Sequence, residues 1–119
     1  MIFDEVVKKA VEETHGALAA VIMAKDGITL SSYIKPGTII DLETLGIEYA
    51  NLLATTSRAS EAMDAGPLTE LQLTTDKYLT LLRSLNPEYF IALILSPSGN
   101  LGKGRFILRV SAPAILREF

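Results

Sequence analysis

The stretch ALAAVIMAKDGITLSSYI, residues 17–34, carries the clearest fold signal in the chain. Its first eight residues are apolar without alternation, which is typical of a strand covered on both faces of a sheet. The Asp26-Gly27 pair that follows favours a tight turn between antiparallel strands. Residues 28–34 then alternate between apolar and polar side chains. The stretch therefore predicts a hairpin whose first strand lies inside a sheet and whose second strand lies nearer an edge.

Helices are predicted on either side of this hairpin. Over residues 2–14, apolar side chains recur every third or fourth position and charged side chains lie opposite them. Gly16 is expected to end this first helix. After the hairpin, a Lys-Pro-Gly sequence breaks the pattern, and a long second helix is predicted over residues 41–64. Asp41 is placed to cap its start, and an Ala-Gly-Pro sequence stops it.

Three further strands and a closing helix complete the chain. The pattern alternates over residues 68–75, continues as a strand over residues 78–85, and becomes apolar on both faces over residues 89–95. Pro113 is expected to kink or split the closing helix, because proline removes a backbone donor. That helix is predicted within residues 101–119 from the apolar side chains at helical spacing, namely Phe106, Ile107, Val110 and Ala114.

The resulting order α-β-β-α-β-β-β-α predicts an α+β fold in one domain over residues 1–119. We expect an α/β sandwich in which a five-stranded antiparallel sheet carries helices on both faces. The runs 17–24 and 89–95, apolar on both faces, are predicted as central strands. The short, more polar run 68–75 is left outermost, with little beyond Glu70 to defend its unpaired backbone groups. Such an edge is predicted to pair with another chain.

Composition excludes several classes of function. Nearly half of the 119 residues are apolar, which is enough to fill a core, and the net charge is only −3. Lysines and arginines are scattered among acidic residues, so we expect no nucleic-acid partner. The absence of cysteine removes disulfides and thiolate metal sites and favours a cytoplasmic protein. No apolar run is long enough to cross a bilayer, so no membrane partner is expected.

The glycine-rich segment SPSGNLGKGRFILR, residues 96–109, invites interpretation as a nucleotide phosphate loop. That loop needs a glycine where Pro97 stands and a hydroxyl where Gly104 stands, so its magnesium ligand is missing. The segment is interpreted instead as a turn in which Ser98, Gly99 and Asn100 cap the closing helix. The one histidine, His15, lies at a helix end, and no acidic cluster has metal-ligand spacing. We therefore predict no enzyme activity, no metal and no cofactor.

The long second helix is apolar on two sides. A core-facing stripe is predicted from Leu42, Leu45, Tyr49, Leu52, Leu53, Thr56 and Met63. The far side mixes charged residues with small or apolar ones, namely Ile47, Ala50, Ala54 and Ala62. Alanine also suits an ordinary exposed helix, so this composition alone leaves a solvated face open. The alternative, which we favour, is a second packing surface against another protein.

Element order, the MAKDGI hairpin (residues 23–28) and the Asn100-Leu101-Gly102 turn together resemble the Roadblock family, which includes dynein light chains and the MglB-like regulators of bacterial GTPases. The resemblance covers the whole chain. It implies a homodimer or heterodimer, with a higher oligomer also open, in which the long helices pair and the outer strands join two sheets. The dimer interface that it implies comprises Ile47, Ala50, Ala54 and, on the outer strand, Leu68, Glu70 and Gln72, together with Asn51 and Arg58.

The resemblance also implies a partner. Roadblock dimers act as platforms for small Ras-like GTPases, and the MglB-like branch speeds GTP hydrolysis by reshaping the GTPase's own site. The chain is accordingly interpreted as a non-enzymatic dimeric regulator or binding platform for such a GTPase. The implied platform residues on the second helix are Glu48, Asn51, Thr55, Arg58 and Ala62.

Two other functions stay open at this point. One is a structural adaptor within a motor or cytoskeletal assembly, as in the dynein branch of the family. The other is a sensory domain that holds a small ligand between sheet and helices. For that second alternative, the candidate lining residues are Tyr33, Tyr49 and Tyr78.

Overall fold

The computed structural model describes residues 2–119 and contains three helices and one five-stranded sheet. The predicted element order is confirmed. In chain order, the elements are α1 (Ile2–Glu12), β1 (Ala17–Ala24), β2 (Thr29–Ile34), α2 (Leu42–Ala62), β3 (Glu70–Thr74), β4 (Leu79–Ser84), β5 (Tyr89–Leu95) and α3 (Leu101–Leu116).

The sheet is antiparallel throughout, with the strand order β2-β1-β5-β4-β3. Strand β5 lies at its centre and pairs with β1 on one side and with β4 on the other. Six of the seven β5 residues, all but Tyr89, are buried, and β1 is buried nearly as completely. The prediction that these two apolar runs form inner strands is therefore confirmed, as is the edge position of β3.

Two hydrophobic clusters cover the two faces of the sheet. On one face α1 and α3 pack over the sheet, and the largest buried side chains there include Ile22, Leu93 and Leu108. On the other face α2 lies alone, and its Tyr49 and Leu53 pack over Phe90 and its neighbours. This three-layer arrangement explains why β1 and β5 lack polar alternation, because each strand contributes side chains to both clusters.

Both longer helices begin at predicted caps. The carboxylate of Asp41 accepts hydrogen bonds from the backbone N–H of Thr44 at 3.2 Å and from its hydroxyl at 2.7 Å. The side-chain oxygen of Asn100 accepts from the backbone N–H of Lys103 at 3.0 Å. These bonds satisfy donors that a helix start otherwise leaves free. The glycine-rich segment thus forms the turn into α3, as the sequence predicts.

Of the two effects expected of Pro113, a kink or a split of the closing helix, the split is wrong. Helix α3 continues through Pro113 to Leu116. Proline removes one donor from the helix, which leaves the carbonyl of Arg109 without its usual partner. Both residues are exposed, so solvent water can bind that carbonyl and the helix tolerates the loss. Within residues 2–119, no helix is both long and apolar enough to span a membrane.

Candidate interaction surfaces

The outer face of α2 carries a continuous polar strip. The five platform residues of the sequence prediction, which are Glu48, Asn51, Thr55, Arg58 and Ala62, are all exposed there. Their spacing of three or four residues places them along one side of the helix. Within this polar strip, the Asn51 amide donates to Glu48 at 3.5 Å, and the Arg58 guanidinium donates to Thr55 at 3.4 Å. The structure thus brings these residues together on one accessible surface.

Apolar side chains flank the polar strip on both sides. On one flank Ile47 is 44% exposed, and Ala54, two turns further on, is also exposed. On the other flank Leu52 is 37% exposed and Met63 is 70% exposed. The prediction that Leu52 and Met63 face the core is wrong. Leu52 directly precedes the buried Leu53, and one helical residue corresponds to a rotation of about 100° away from the sheet.

Ala50 shows the opposite error. The sequence pattern places it on the outward face, but it is 5% exposed and packs in the cluster beneath α2. It lies three residues before Leu53, so the two side chains share the face turned to the sheet. Ala50 therefore presents no surface to a partner, whereas Ile47 and Ala54 do.

Strand β3 has a neighbour, β4, on one side only. Its side chains at Glu70 and Gln72 do not extend freely into solvent, because Arg105 of α3 binds both. The Arg105 Nε atom donates to the two Glu70 carboxylate oxygens at 3.0 and 2.9 Å, and one terminal nitrogen donates to the Gln72 amide oxygen at 2.9 Å. The charge of Glu70 is therefore balanced from α3, on the face of the sheet opposite α2.

Leu68 lies just before β3, half-buried against the α2 cluster. It also lines a groove of about 460 Å³ between α2 and the loops at one end of the sheet. Lys25 lies in the same groove and donates to the Ser84 hydroxyl at 3.0 Å. Partial burial of its ammonium group lowers the pKa of Lys25. The groove adjoins the Ile47–Ala54 flank of α2, since Ala54 lines it too.

Helix α3 exposes a separate surface on the other face of the molecule. Phe106 and Val110 are 48% and 50% exposed, although the helical pattern grouped them with buried Ile107. Two cations adjoin the Phe106 ring: the Lys103 ammonium lies 6.0 Å and the Arg109 guanidinium 5.8 Å from its centre. We refer to Lys103, Phe106, Arg109 and Val110 as the basic ridge.

The three tyrosines proposed for a ligand cavity do not converge. Tyr33 packs on the cluster beneath α1 and α3, whereas Tyr49 and Tyr78 belong to the cluster beneath α2. Tyr49 is buried, its hydroxyl lies 3.4 Å from that of Thr80, and burial raises its pKa. The sheet separates Tyr33 from the other two, so these side chains line no common site.

The described part of the chain contains no cluster of three or more His, Asp or Glu side chains that could hold a metal ion. His15 is exposed at the end of the α1 segment, and its carbonyl accepts the Asn100 backbone N–H at 2.8 Å. The described residues present two apolar flanks around a polar strip, an open strand edge and the basic ridge.

Comparison with known proteins gives a consistent picture at the level of structure. No protein-family model matches the chain, and no curated protein matches it. Among solved structures, MglC from Myxococcus xanthus is 38% identical over the full length of both chains, with a TM-score of 0.72. The gliding protein MglB from Thermus thermophilus is 19% identical over 98% of this chain and 87% of its own, with a TM-score of 0.87.

A Roadblock/LC7 domain from Streptomyces avermitilis shares the same fold at 14% identity, over 95% of this chain and 97% of its own, with a TM-score of 0.77. At this identity the likeness shows the fold alone, whereas the full-length match to MglC reaches further. The resemblance inferred from the hairpin, the turn into α3 and the element order is thereby confirmed. The chain belongs to the Roadblock/MglB-like family.

Proposed function

We propose that this protein is a non-enzymatic, dimeric binding platform for a small Ras-like GTPase, with α2 as the recognition helix. The observation that carries the proposal is the pattern of exposure on α2. Its polar strip is bordered by exposed apolar side chains, including Ile47 and Leu52, that a purely solvated helix does not need. Family membership supports the same assignment, because Roadblock dimers serve as such platforms.

The state of strand β3 supports dimerisation. Exposed edge strands are usually defended by unpaired charges that repel an incoming strand. The carboxylate of Glu70 is the one charge on β3, and Arg105 binds it on the α3 side. The backbone edge therefore presents no unpaired charge to a second copy. Pairing of two β3 strands would extend the sheet across both protomers.

Dimerisation is tested by placing a charge on the predicted pairing flank. Ala54→Glu introduces a carboxylate on the same flank as Ile47, two helical turns away, where burial against a second protomer would leave it unpaired. We expect the variant to dissociate at concentrations at which the native protein is a dimer, measured by sedimentation equilibrium. Lys9→Glu, on exposed α1, is the control for an added negative charge. An unchanged dimer mass for Ala54→Glu would show that this flank is exposed to solvent and does not form the dimer interface.

GTPase binding is tested at the polar strip. A Ras-like GTPase from the same genome is titrated with the protein, and both complex formation and GTP turnover are measured. We expect Glu48→Lys to weaken the complex while leaving the dimer mass unchanged, because Glu48 lies on the exposed strip and is not among the residues of the implied dimer interface. A complex without faster turnover identifies a scaffold, and faster turnover identifies an activator. Absence of any complex with every such GTPase would refute the assignment.

A second candidate function is an adaptor that bridges components of a larger assembly. It is favoured by the position of the basic ridge, which lies on α3, on the opposite face of the sheet from α2. Two accessible surfaces on opposite faces allow two partners to bind at once. Formation of a ternary complex in which the two partners do not compete, measured by size-exclusion chromatography, would support this function.

A further inference from the structure

All charged side chains on α3 are basic. The helix contains Lys103, Arg105 and Arg109 and no acidic residue, although the whole chain has a net charge of −3. Arg105 binds Glu70, in the one ion pair closer than 4.0 Å that the described residues form. Lys103 and Arg109 therefore have no acidic partner within residues 2–119. The basic ridge is a local positive region on an otherwise acidic protein.

A further cation lies on the same face of the sheet. Arg83 is paired with Glu70 across the β3–β4 ladder, so both side chains point to the α3 side. The Nε atom of Arg83 is buried and has no hydrogen-bond partner. One carboxylate, that of Glu70, is thus paired in register with Arg83 and bound by Arg105, so these three side chains carry a net positive charge on the α3 side of the sheet.

The ridge also contains apolar surface in a form that suits contact with a partner. Half of the Phe106 surface and half of the Val110 surface are exposed, whereas Ile107 and Leu108 between them are each 2% exposed. They lie four residues apart, so both face outward on the same side of α3. Aromatic residues flanked by arginine are typical of the energetically important centre of protein interfaces.

The surroundings of the ridge select the class of partner. The neighbouring helix α1 and the turn after it expose four acidic side chains, Asp4, Glu5, Glu12 and Glu13, against two basic ones, Lys8 and Lys9, so this segment is net negative and repels an extended anionic surface. An anionic membrane or a nucleic-acid backbone would approach these acidic groups together with the ridge. A narrow acidic segment can contact the ridge alone. The length from Lys103 to Val110 corresponds to about two helical turns, or roughly 10 Å.

We propose that the basic ridge docks an acidic helical segment of a partner protein, whose carboxylates bind Lys103 and Arg109 and whose apolar side chains pack on Phe106 and Val110. This interaction is distinct from dimerisation and from GTPase binding, because both of those use α2 and the β3 edge. It assigns a second partner to the face of the sheet that α1 and α3 cover.

The test uses a fluorescein-labelled synthetic peptide that is rich in glutamate and carries leucine at every third or fourth position. Binding to the full-length protein is measured by fluorescence anisotropy at low and at raised salt. We expect Lys103→Glu/Arg109→Glu to bind about tenfold more weakly or worse, since two attractions become repulsions. The control variant Lys9→Glu/Lys35→Glu changes the net charge by the same amount, but its two residues lie over the β1–β2 half of the sheet. We expect this variant to bind the peptide as the native protein does.

The apolar part of the contact is tested separately. Phe106→Ala is expected to weaken binding of the leucine-containing peptide and to leave unchanged the binding of a peptide with alanine in place of leucine. Far-ultraviolet circular dichroism and sedimentation establish that each variant remains folded and dimeric. The dimer mass also separates this test from the proposed function, because loss of peptide binding with an intact dimer concerns the ridge alone.

Several outcomes would overturn the proposal. Equal losses for the ridge variant and the Lys9/Lys35 control would show that only net charge matters. Equal binding of a peptide with glutamine in place of glutamate would show that the carboxylates are not recognised. Co-sedimentation with vesicles of phosphatidylserine and phosphatidylcholine, combined with no peptide binding, would assign the ridge to a membrane surface instead.

Discussion

Replacement of Gly16 by alanine tests how the glycine-rich turn holds the fold together. Gly16 precedes β1 and has φ of +81°, in the left-handed region that side chains with a Cβ rarely adopt. A Cβ at this position would lie 2.4 Å from the Gly99 Cα and 3.0 Å from the Ser96 hydroxyl oxygen. The Gly16 carbonyl also accepts the Ser96 backbone N–H at 2.8 Å. The turn before β1 and the turn before α3 are thus in direct backbone contact.

The cost of Gly16→Ala has two parts. The left-handed backbone conformation costs a residue with a Cβ about 1–2 kcal/mol. Relief of the contact with Gly99 requires a shift of backbone rather than of a flexible side chain, and overpacking of this kind costs about 1–3 kcal/mol. The sum, about 2–5 kcal/mol, is a large share of the roughly 5–15 kcal/mol typical of a domain's free energy of unfolding.

Gly37→Ala is the matched control. Gly37 has φ of +87°, nearly the same backbone conformation, but no atom lies within 4 Å of the position that its Cβ would occupy. Gly37→Ala should therefore lower the free energy of unfolding only by the cost of the left-handed backbone conformation, about 1–2 kcal/mol. Both free energies of unfolding are measured by urea titration monitored by circular dichroism. Equal losses for the two variants would refute the close-contact explanation, since only Gly16 has a neighbouring backbone.

Three further perturbations test the packing of α2, the ion pair of Arg105 on α3 and the cap of α2. Leu53→Ala should lower the free energy of unfolding by about 2–5 kcal/mol, because Leu53 is buried. Leu52→Ala should lower it by far less, because Leu52 is exposed. Urea unfolding of the two variants measures the difference. Arg105→Ala should cost at most about 1 kcal/mol in the same assay, because its ion pair is partly exposed. Bonds from Thr44 lower the pKa of Asp41 below its ordinary 3.8, so its stabilisation is present above that pH and lost as the pH falls through the folded-state pKa. Asp41→Asn should therefore weaken the dependence of the free energy of unfolding on pH in the acidic range. An unchanged dependence would show that Asp41 does not contribute to it.

The strand positions were predictable from the sequence because burial on two faces leaves a distinct mark. Residues 17–24 and 89–95 are apolar at both alternating sets of positions, and only strands covered by helices on both sides tolerate this. The edge position of β3 followed in the same way from its alternation. Helix caps at Asp41 and Asn100 were also readable, since their bonds join residues three apart in sequence.

The rotation of the helices was less predictable. When a helix has apolar residues on several sides, the sequence does not determine which side faces the sheet. For this reason the pattern wrongly places Ala50 outward and Leu52 inward. The same ambiguity applies to Phe106 and Val110, which recur at helical spacing with Ile107 although only Ile107 of the three is buried. Burial in each case is decided by which side of the helix contacts the sheet, and that depends on packing across the fold.

The network around Arg105 had no signal in the sequence. Arg105 and Glu70 are separated by 35 positions. Their contact depends on the register of β3 with β4 and on the placement of α3 above that edge. Neither quantity follows from local periodicity. This network bears most directly on function, because it removes a defending charge from the strand edge that the family resemblance implies is paired.

The same network links the two proposed surfaces. Arg105 lies between Lys103 and Arg109 in sequence, and its ion pair with Glu70 ties the α3 helix to the open edge of the sheet. If two β3 edges pair across a dimer, the α3 helices of both protomers lie on the same face of one continuous sheet, with a basic ridge on each. A partner with two acidic segments then binds the dimer with an effective concentration that a monomer cannot provide. Dimerisation through α2 and β3 would in this way control binding on the opposite face, without any change in the ridge itself.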